Sequence, residues 1–125
     1  MLYLLDTNSY IYLLSGTYPS LASRVAASDA GSIGMSAIVF AELAIGSANG
    51  KLPPIDVIDD ILAATPLIAF DEVAARAYAR VPFRRARFDR LLAAHALSIG
   101  AVVVTNNEAD FADVPGLKIE NWTKA

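Results

Sequence analysis

Apolar residues along this chain fall into short runs, separated by longer stretches with helical character. Leu2–Leu5, Ser32–Met35, Leu67–Phe70 and Ala101–Val104 read as four short buried strands, and Leu117–Ile119, after Pro115-Gly116, as an edge strand. The spacing between them predicts helices. One runs over Asn8–Leu14, and another starts at Tyr18-Pro19-Ser20, with Pro19 near its first turn, and continues to about Asp29. Ser36 can cap a helix that Gly46 ends near Ile45. Pro53-Pro54 opens a helix to about Ala64, and Thr65-Pro66 breaks it. Asp71 caps a helix to about Val81, stopped before Pro82. Asp89 caps a last one, with Gly100 as its C-terminal stop. Short apolar strands alternating with helices predict an α/β fold, a mainly parallel sheet of four to five short strands covered by helices on both faces.

Such sheets bind ligands beyond the carboxyl ends of their strands. Asp6 lies at the end of the first strand. Asp110 lies beyond the fourth, past the turn Thr105-Asn106-Asn107. Asp89 sits at a helix start, where the dipole favours negative charge. Glu42 is the only charge among Ile38, Val39, Phe40, Leu43 and Ile45, about two turns into its helix, so it can reach the same rim. Each acid has an ordinary reading. Asp6 and Asp89 can be caps, Asp110 a loop residue, and Glu42 the partner of a core arginine. Their joint placement points instead to a carboxylate cluster. Like charges in one pocket repel unless a cation or proton intervenes. Hard Mg²⁺ or Mn²⁺ ions prefer oxygen ligands. The chemistry expected is metal-dependent phosphodiester hydrolysis. Thr7, Asn8, Thr105 and Asn107 stand beside the acids and can orient them, or serve simply as turn and cap residues. His95 reads as a packing residue, about 120° around the helix from Asp89 and roughly 9 Å along it. Tyr10, Tyr12 and Trp122 also read as packing residues.

Composition narrows the setting. The 125 residues fit one domain, 1–125. At 55% hydrophobic the chain is rich enough to raise a membrane reading, but its longest uncharged runs fall short of the ~20 apolar residues a spanning helix needs. Asp6 interrupts the apolar start and no basic region precedes it, so no signal peptide is read. A cytoplasmic protein is expected, its surplus apolar surface covered in a homodimer or by a bound peptide. Without cysteine there are no disulfides, zinc–thiolate sites or thiol chemistry.

The net charge of −3 argues weakly against a nucleic-acid partner, but the distribution matters more. Arg80, Arg84, Arg85, Arg87 and Arg90 are half of the 10 basic residues. Arg84, Arg85 and Arg87 can neutralise RNA phosphates, with Phe83 or Phe88 stacking on a base. They can equally face solvent, Glu42 or the acids of a partner protein.

These segments resemble a family. Leu4-Leu5-Asp6-Thr7-Asn8, Ser36 to Leu43, Asp89-Arg90-Leu91-Leu92-Ala93-Ala94-His95-Ala96, Thr105-Asn106-Asn107 through Asp110-Phe111, and the ending Val114-Pro115-Gly116-Leu117 with Glu120-Asn121-Trp122 are similar to PIN-domain proteins of the VapC toxin type. The likeness spans nearly the whole chain. It implies a PIN-like three-layer sandwich and Mg²⁺- or Mn²⁺-dependent endoribonuclease activity. Asp6, Glu42, Asp89 and Asp110 match the acidic positions. It also implies a homodimer held inactive by a cognate antitoxin whose peptide enters the active groove. The stretch Pro82-Phe83-Arg84-Arg85-Ala86-Arg87-Phe88 departs from the family, which commonly carries a glycine and a small polar residue there. Two other functions compete with this one. One is a non-catalytic module that binds an antitoxin peptide or RNA. The other is an aspartyl-phosphate phosphatase, which usually wants a second acid where Asn8 stands.

Overall fold

In the computed structural model, which describes residues 1–85 and 87–125, the chain builds a five-stranded sheet. Ala86, within the stretch that departs from the family, lies outside the described residues. The strands are β1 (Tyr3–Leu5), β2 (Ile33–Ser36), β3 (Leu67–Ile68), β4 (Val102–Val104) and β5 (Lys118–Glu120). Their order is β3-β2-β1-β4-β5, and every pairing is parallel. Between them run α1 (Thr7–Ser15), α2 (Pro19–Ala27), α3 (Ala37–Ala48), α4 (Ile55–Ala64), α5 (Glu72–Ala77) and α6 (Arg87–Ile99). The chain builds outward from β1 through β2 to β3, then returns to place β4 on β1's other edge. β1 and β4 therefore flank the topological switch point, where open parallel sheets form their ligand crevice. Residues just past Leu5 and Val104 face that crevice.

The central strands are buried on both faces. Leu4, Leu5, Met35 and Val103 have no exposed surface. The outermost strand on the other side is shorter than expected. β3 spans Leu67–Ile68, and Ala69 and Phe70 lie outside it. It pairs with β2, which turns into α3 directly after the Ser36–Ile68 pair, so no strand runs on beside Ala69.

Helix ends follow local chemistry. Asp6 caps α1, its Oδ1 accepting from the Ser9 N–H at 2.8 Å, so the helix starts at Thr7. Ser36 caps α3 through the Ile38 N–H at 3.1 Å. Three expected boundaries move. α3 passes through Gly46 to Ala48, because the left-handed conformation that ends it falls on Gly50, at φ 78°. α6 begins at Arg87, so Asp89 lies inside its first turn instead of capping it. The expected helix to Val81 is α5 followed by a 3-10 turn over Tyr78–Arg80.

The C-terminal tail is tied to the start of the chain. The Trp122 ring packs on Tyr3 with centroids 4.9 Å apart, and the Arg24 guanidinium lies over it at 4.8 Å. The Tyr10 hydroxyl, fully buried, donates to Thr65 Oγ1 at 3.1 Å, and burial pushes its pKa up to about 12. Apolar side chains also reach the surface, notably Ile45, Leu52, Ile55, Val73 and Phe83. Among the described residues, no helix is long and apolar enough to cross a membrane.

Gly34 in β2 makes room for β3's side chain. A Cβ there would overlap Ile68 Cδ1 and stand 3.1 Å from its Cγ1. Gly34→Val should destabilise the protein by ~1–3 kcal/mol in urea unfolding. With Ile68→Ala added, the loss should be smaller than the two single effects summed. Strict additivity would show that the two positions do not share space.

Candidate active site

Four acids meet at the carboxyl edge of the sheet, each brought by a different element. Asp6 directly follows β1 and is buried; its Oδ1 is held by the helix cap to Ser9. Ser9 is buried as well and donates from its own hydroxyl to the Val104 carbonyl at 3.2 Å, which locks the start of α1 to the end of β4. Glu42 projects from α3 and takes a 2.7 Å hydrogen bond from Thr7 Oγ1 on its Oε1, joining residues 35 apart in sequence. Asp89 comes from the first turn of α6. Asp110 ends a 3-10 turn over Glu108–Asp110, and its Oδ2 accepts from Asn107 Nδ2 at 2.5 Å. Thr105 acts one step further out, its Oγ1 accepting from the Asn107 N–H at 2.9 Å. Asn8 is exposed and lines a polar recess of about 240 Å³ with Asp6, Tyr12, Asn106 and Asn107.

The electrostatics register this convergence. Desolvation pushes the Asp89 pKa up to about 6, and Asp6, Asp110 and Glu42 add repulsion, against a smaller opposing pull from Arg90. Glu42 is likewise raised by partial burial, with the Thr7 bond working against the shift and Asp6 adding to it. Four carboxylates crowded this way are short of positive charge. As placed, no three acidic, histidine or cysteine side chains among the described residues close to the spacing of one ion's inner ligand set. The donor chemistry nonetheless fits a hard divalent cation. It is all oxygen, and Asp6, Glu42 and Asp110 each have one oxygen fixed by the protein while their mutual repulsion asks for a countercharge. Mg²⁺ commonly keeps several waters between itself and its carboxylates.

The arginines divide. Arg84 turns to the loop after β4, with Nε 3.5 Å from Asp113 Oδ2 and Nη1 donating to the Ala109 carbonyl at 3.5 Å. Arg85 and Arg87 are exposed and line a recess of about 380 Å³ with Phe88, Glu42 and Asp89. Arg90 is fully buried and forms a two-pronged ion pair with Asp113, at 3.1 and 3.0 Å. That pair, and Arg84's hold on the same carboxylate, keep Asp113 below the usual carboxylate range. The expectation that Glu42 could pair with a core arginine is not met: the core arginine takes Asp113, and Glu42 takes Thr7.

The parts played by Ser9, Arg90 and Asp113 do not show in the sequence alone. Ser9 stands three residues after a capping Asp, where the cap's bond commonly lands. Arg90 shares a helical stripe with buried Ala93 and Ala94 and partly buried Leu97, so its spacing carries a signal. Nothing local marks Asp113, which sits 23 residues from its partner. His95 sits in the core, its Nδ1 2.7 Å from Ser36 Oγ and its ring edge-on to Phe70, and burial lowers its pKa.

Next to the acids a cleft of about 280 Å³ runs from Thr7 and Glu42 past Leu43, Ile45 and Leu52. It continues into an apolar recess of about 350 Å³ lined by Ile11, Leu14, Leu52, Pro53 and Val57.

Known proteins share this plan. A tRNA(fMet)-specific endonuclease VapC of Shigella flexneri is 28% identical over 130 residues, covering 97% of this chain and 98% of that protein. A ribonuclease VapC2 of Haemophilus influenzae is 31% identical over 129 residues, covering 96% and 97%. The crystal structure of DNA-bound VapBC from Salmonella typhimurium superposes with a TM-score of 0.83 at 28% identity, over 98% of this chain and 99% of that one. The model of the PIN domain family matches residues 3–117, which take in all four acids and both strands of the switch point. With that match spanning nearly the whole of the sheet and its rim, the chain belongs to the PIN domain family.

Proposed function

We propose that this protein is the toxin of a toxin–antitoxin pair, an endoribonuclease that uses Mg²⁺ or Mn²⁺ to hydrolyse RNA phosphodiester bonds. The observation that carries the reading is the meeting of Asp6, Glu42, Asp89 and Asp110 at the switch point, in a chain similar end to end to VapC ribonucleases. Asp6, Asp89 and Asp110 would hold the ion, with Glu42 beside them. When bound, the ion supplies a Lewis acid for the phosphate and lowers the pKa of a water. Thr7 fixes one oxygen of Glu42 and leaves the other able to orient the attacking water in line with the scissile bond. Asn107 fixes Asp110 in the same way, and Thr105 fixes Asn107.

RNA must approach an acidic rim, so cations beside it matter. Arg85 and Arg87, with Phe88, flank Glu42 and Asp89 and suit a phosphate and a stacked base. Arg84, engaged with Asp113, is less suited to the substrate. The apolar cleft that starts at Thr7 and Glu42 fits an apolar antitoxin segment whose end would reach the acids. Exposed Ile45, Leu52, Ile55 and Val73 give further apolar surface for that partner and for a second copy of the chain. The working compartment would be the cytoplasm, where the RNA is.

Purified, antitoxin-free protein should cut labelled RNA only with Mg²⁺ or Mn²⁺ present, and Asp6→Asn and Asp89→Asn should abolish cutting. Thr7→Val should lower activity ~10–100-fold by freeing Glu42. Failure of the wild-type protein to cut any RNA pool would favour a module that binds antitoxin or RNA without cleaving it.

Arg85→Ala/Arg87→Ala should weaken RNA binding and flatten the log–log salt dependence by ~0.7 for each phosphate that is no longer neutralised. An unchanged salt slope would place these arginines outside the RNA path.

The raised Asp89 pKa gives a pH signature. With its ordinary value near 3.8 when unfolded and about 6 when folded, the native state binds more protons between those values. Metal-free protein should therefore lose stability as pH rises from about 4 through about 6. Asp89→Asn should remove that loss. Added Mn²⁺ should raise the melting temperature more at a pH of about 7.5 than at about 5. Melting curves with and without chelator read all three.

A further inference from the structure

Burying an arginine is costly unless its donors are matched. Arg90 follows Asp89 directly on α6. Asp89 therefore faces the acid cluster while its neighbour, about a hundred degrees around the helix, turns into the protein. The Arg90 guanidinium reaches chain segments on both sides of the site. Nη1 donates to the Pro82 carbonyl at 3.3 Å, in the segment that leads to α6. Nη1 and Nη2 bind the two oxygens of Asp113. Nη2 also donates to the backbone carbonyl of Asp110 itself. Asp113 in turn receives the half-exposed Arg84, whose Nε stands 3.5 Å from the same Oδ2 that Nη1 binds. One buried cation thus holds the backbone of one rim acid from the helix position next to another.

We propose that Asp113, through Arg90, is a positioning residue for the ion site, setting the separation of Asp110 from Asp89 without touching ion or substrate. The inference rests on the reading of the four acids as an ion site. A two-pronged pair resists both sliding and twisting of the turn it holds. Because Arg90 bonds the Asp110 main chain, a shift of the guanidinium moves the acid bodily and not merely its rotamer. Asn107 then sets the direction of the carboxylate on a backbone already placed by Arg90. The pair could have been a simple staple. A staple, however, would not need a bond to the carbonyl of the rim acid, and an apolar pair of similar volume could replace it.

The test measures Mn²⁺ binding to the whole protein by electron paramagnetic resonance, with no RNA present, alongside thermal melting. Asp113→Asn keeps the shape of an exposed residue but removes the charge and one acceptor. It should fold and bind Mn²⁺ ~10–100-fold more weakly, the range seen when a ligand's supporting partner is removed. Asp113→Glu, which keeps the charge, should recover part of that loss. Arg90→Met/Asp113→Leu should melt close to the wild-type protein and still bind Mn²⁺ weakly. Arg76→Ala, which breaks an exposed pair with Glu72 on α5, should leave binding unchanged. Wild-type affinity in Asp113→Asn, or in a folded Arg90→Met/Asp113→Leu, would overturn the proposal. If the apolar pair does not fold, Asp113→Asn and Asp113→Glu decide it. If wild-type protein binds no Mn²⁺, the ion-site reading itself fails, a result distinct from equal binding by wild type and variant.

Discussion

Like-charge repulsion at the carboxyl edge of the sheet is the constraint around which this protein is arranged. Burial raises the Asp89 pKa to about 6, and Asp6, Asp110 and Glu42 add to the cost of ionising it. Left to themselves, flexible acidic side chains would swing apart into water. The fold prevents this by fixing one oxygen on each of three of them: Asp6 on Ser9, Glu42 on Thr7, Asp110 on Asn107. Each bond is modest, on the order of 1 kcal/mol net, or somewhat more to a charged acceptor. Together they hold a geometry that the electrostatics oppose.

The scaffold meets that demand with an ordinary device. A doubly wound sheet leaves a crevice where its winding reverses, between β1 and β4. Burial of Leu4, Leu5 and Val103 on both faces makes these strands rigid, so the residues just beyond them have little freedom. Ser9 uses that rigidity directly, tying the β1 end to the last carbonyl of β4. Arg90 extends the same principle beyond the strand ends, bonding the Asp110 main chain from the helix position next to Asp89.

Much of this is readable from residue order, and the failures have physical causes. The parallel sheet and its strands follow from short apolar runs such as Val102–Val104, which need no partner to be recognised. Asp6, at the end of such a run and at the start of a helix, is legible as both cap and rim acid. Asp89 reads as a cap but lies inside the first turn of its helix, because the arginine-rich stretch before it carries no conventional start signal. Gly46 misleads because glycine tolerates a helix interior, and only a positive φ, found at Gly50, forces an end. The arginines are hardest. Composition groups Arg84, Arg85, Arg87 and Arg90 as one patch, yet a carboxylate far along the chain takes Arg84 and Arg90 out of it. Pairing over such separations is a tertiary choice, invisible to local pattern.

The bonds around the acids also differ in how far along the chain they reach. Asp6–Ser9 and Asn107–Asp110 close over three residues, whereas Thr7–Glu42 spans 35 and Arg90–Asp113 spans 23. Polypeptides leave the ribosome N-terminus first and fold as they emerge. The first three acids can be assembled on a growing chain, but Asp110 and the Asp113 carboxylate that steadies it follow only after β4, just ahead of β5. A nascent chain is thus without its complete acid set until all but the last strand of the sheet has been made. The order of synthesis therefore puts the closing of the acid rim among the last events in making the protein.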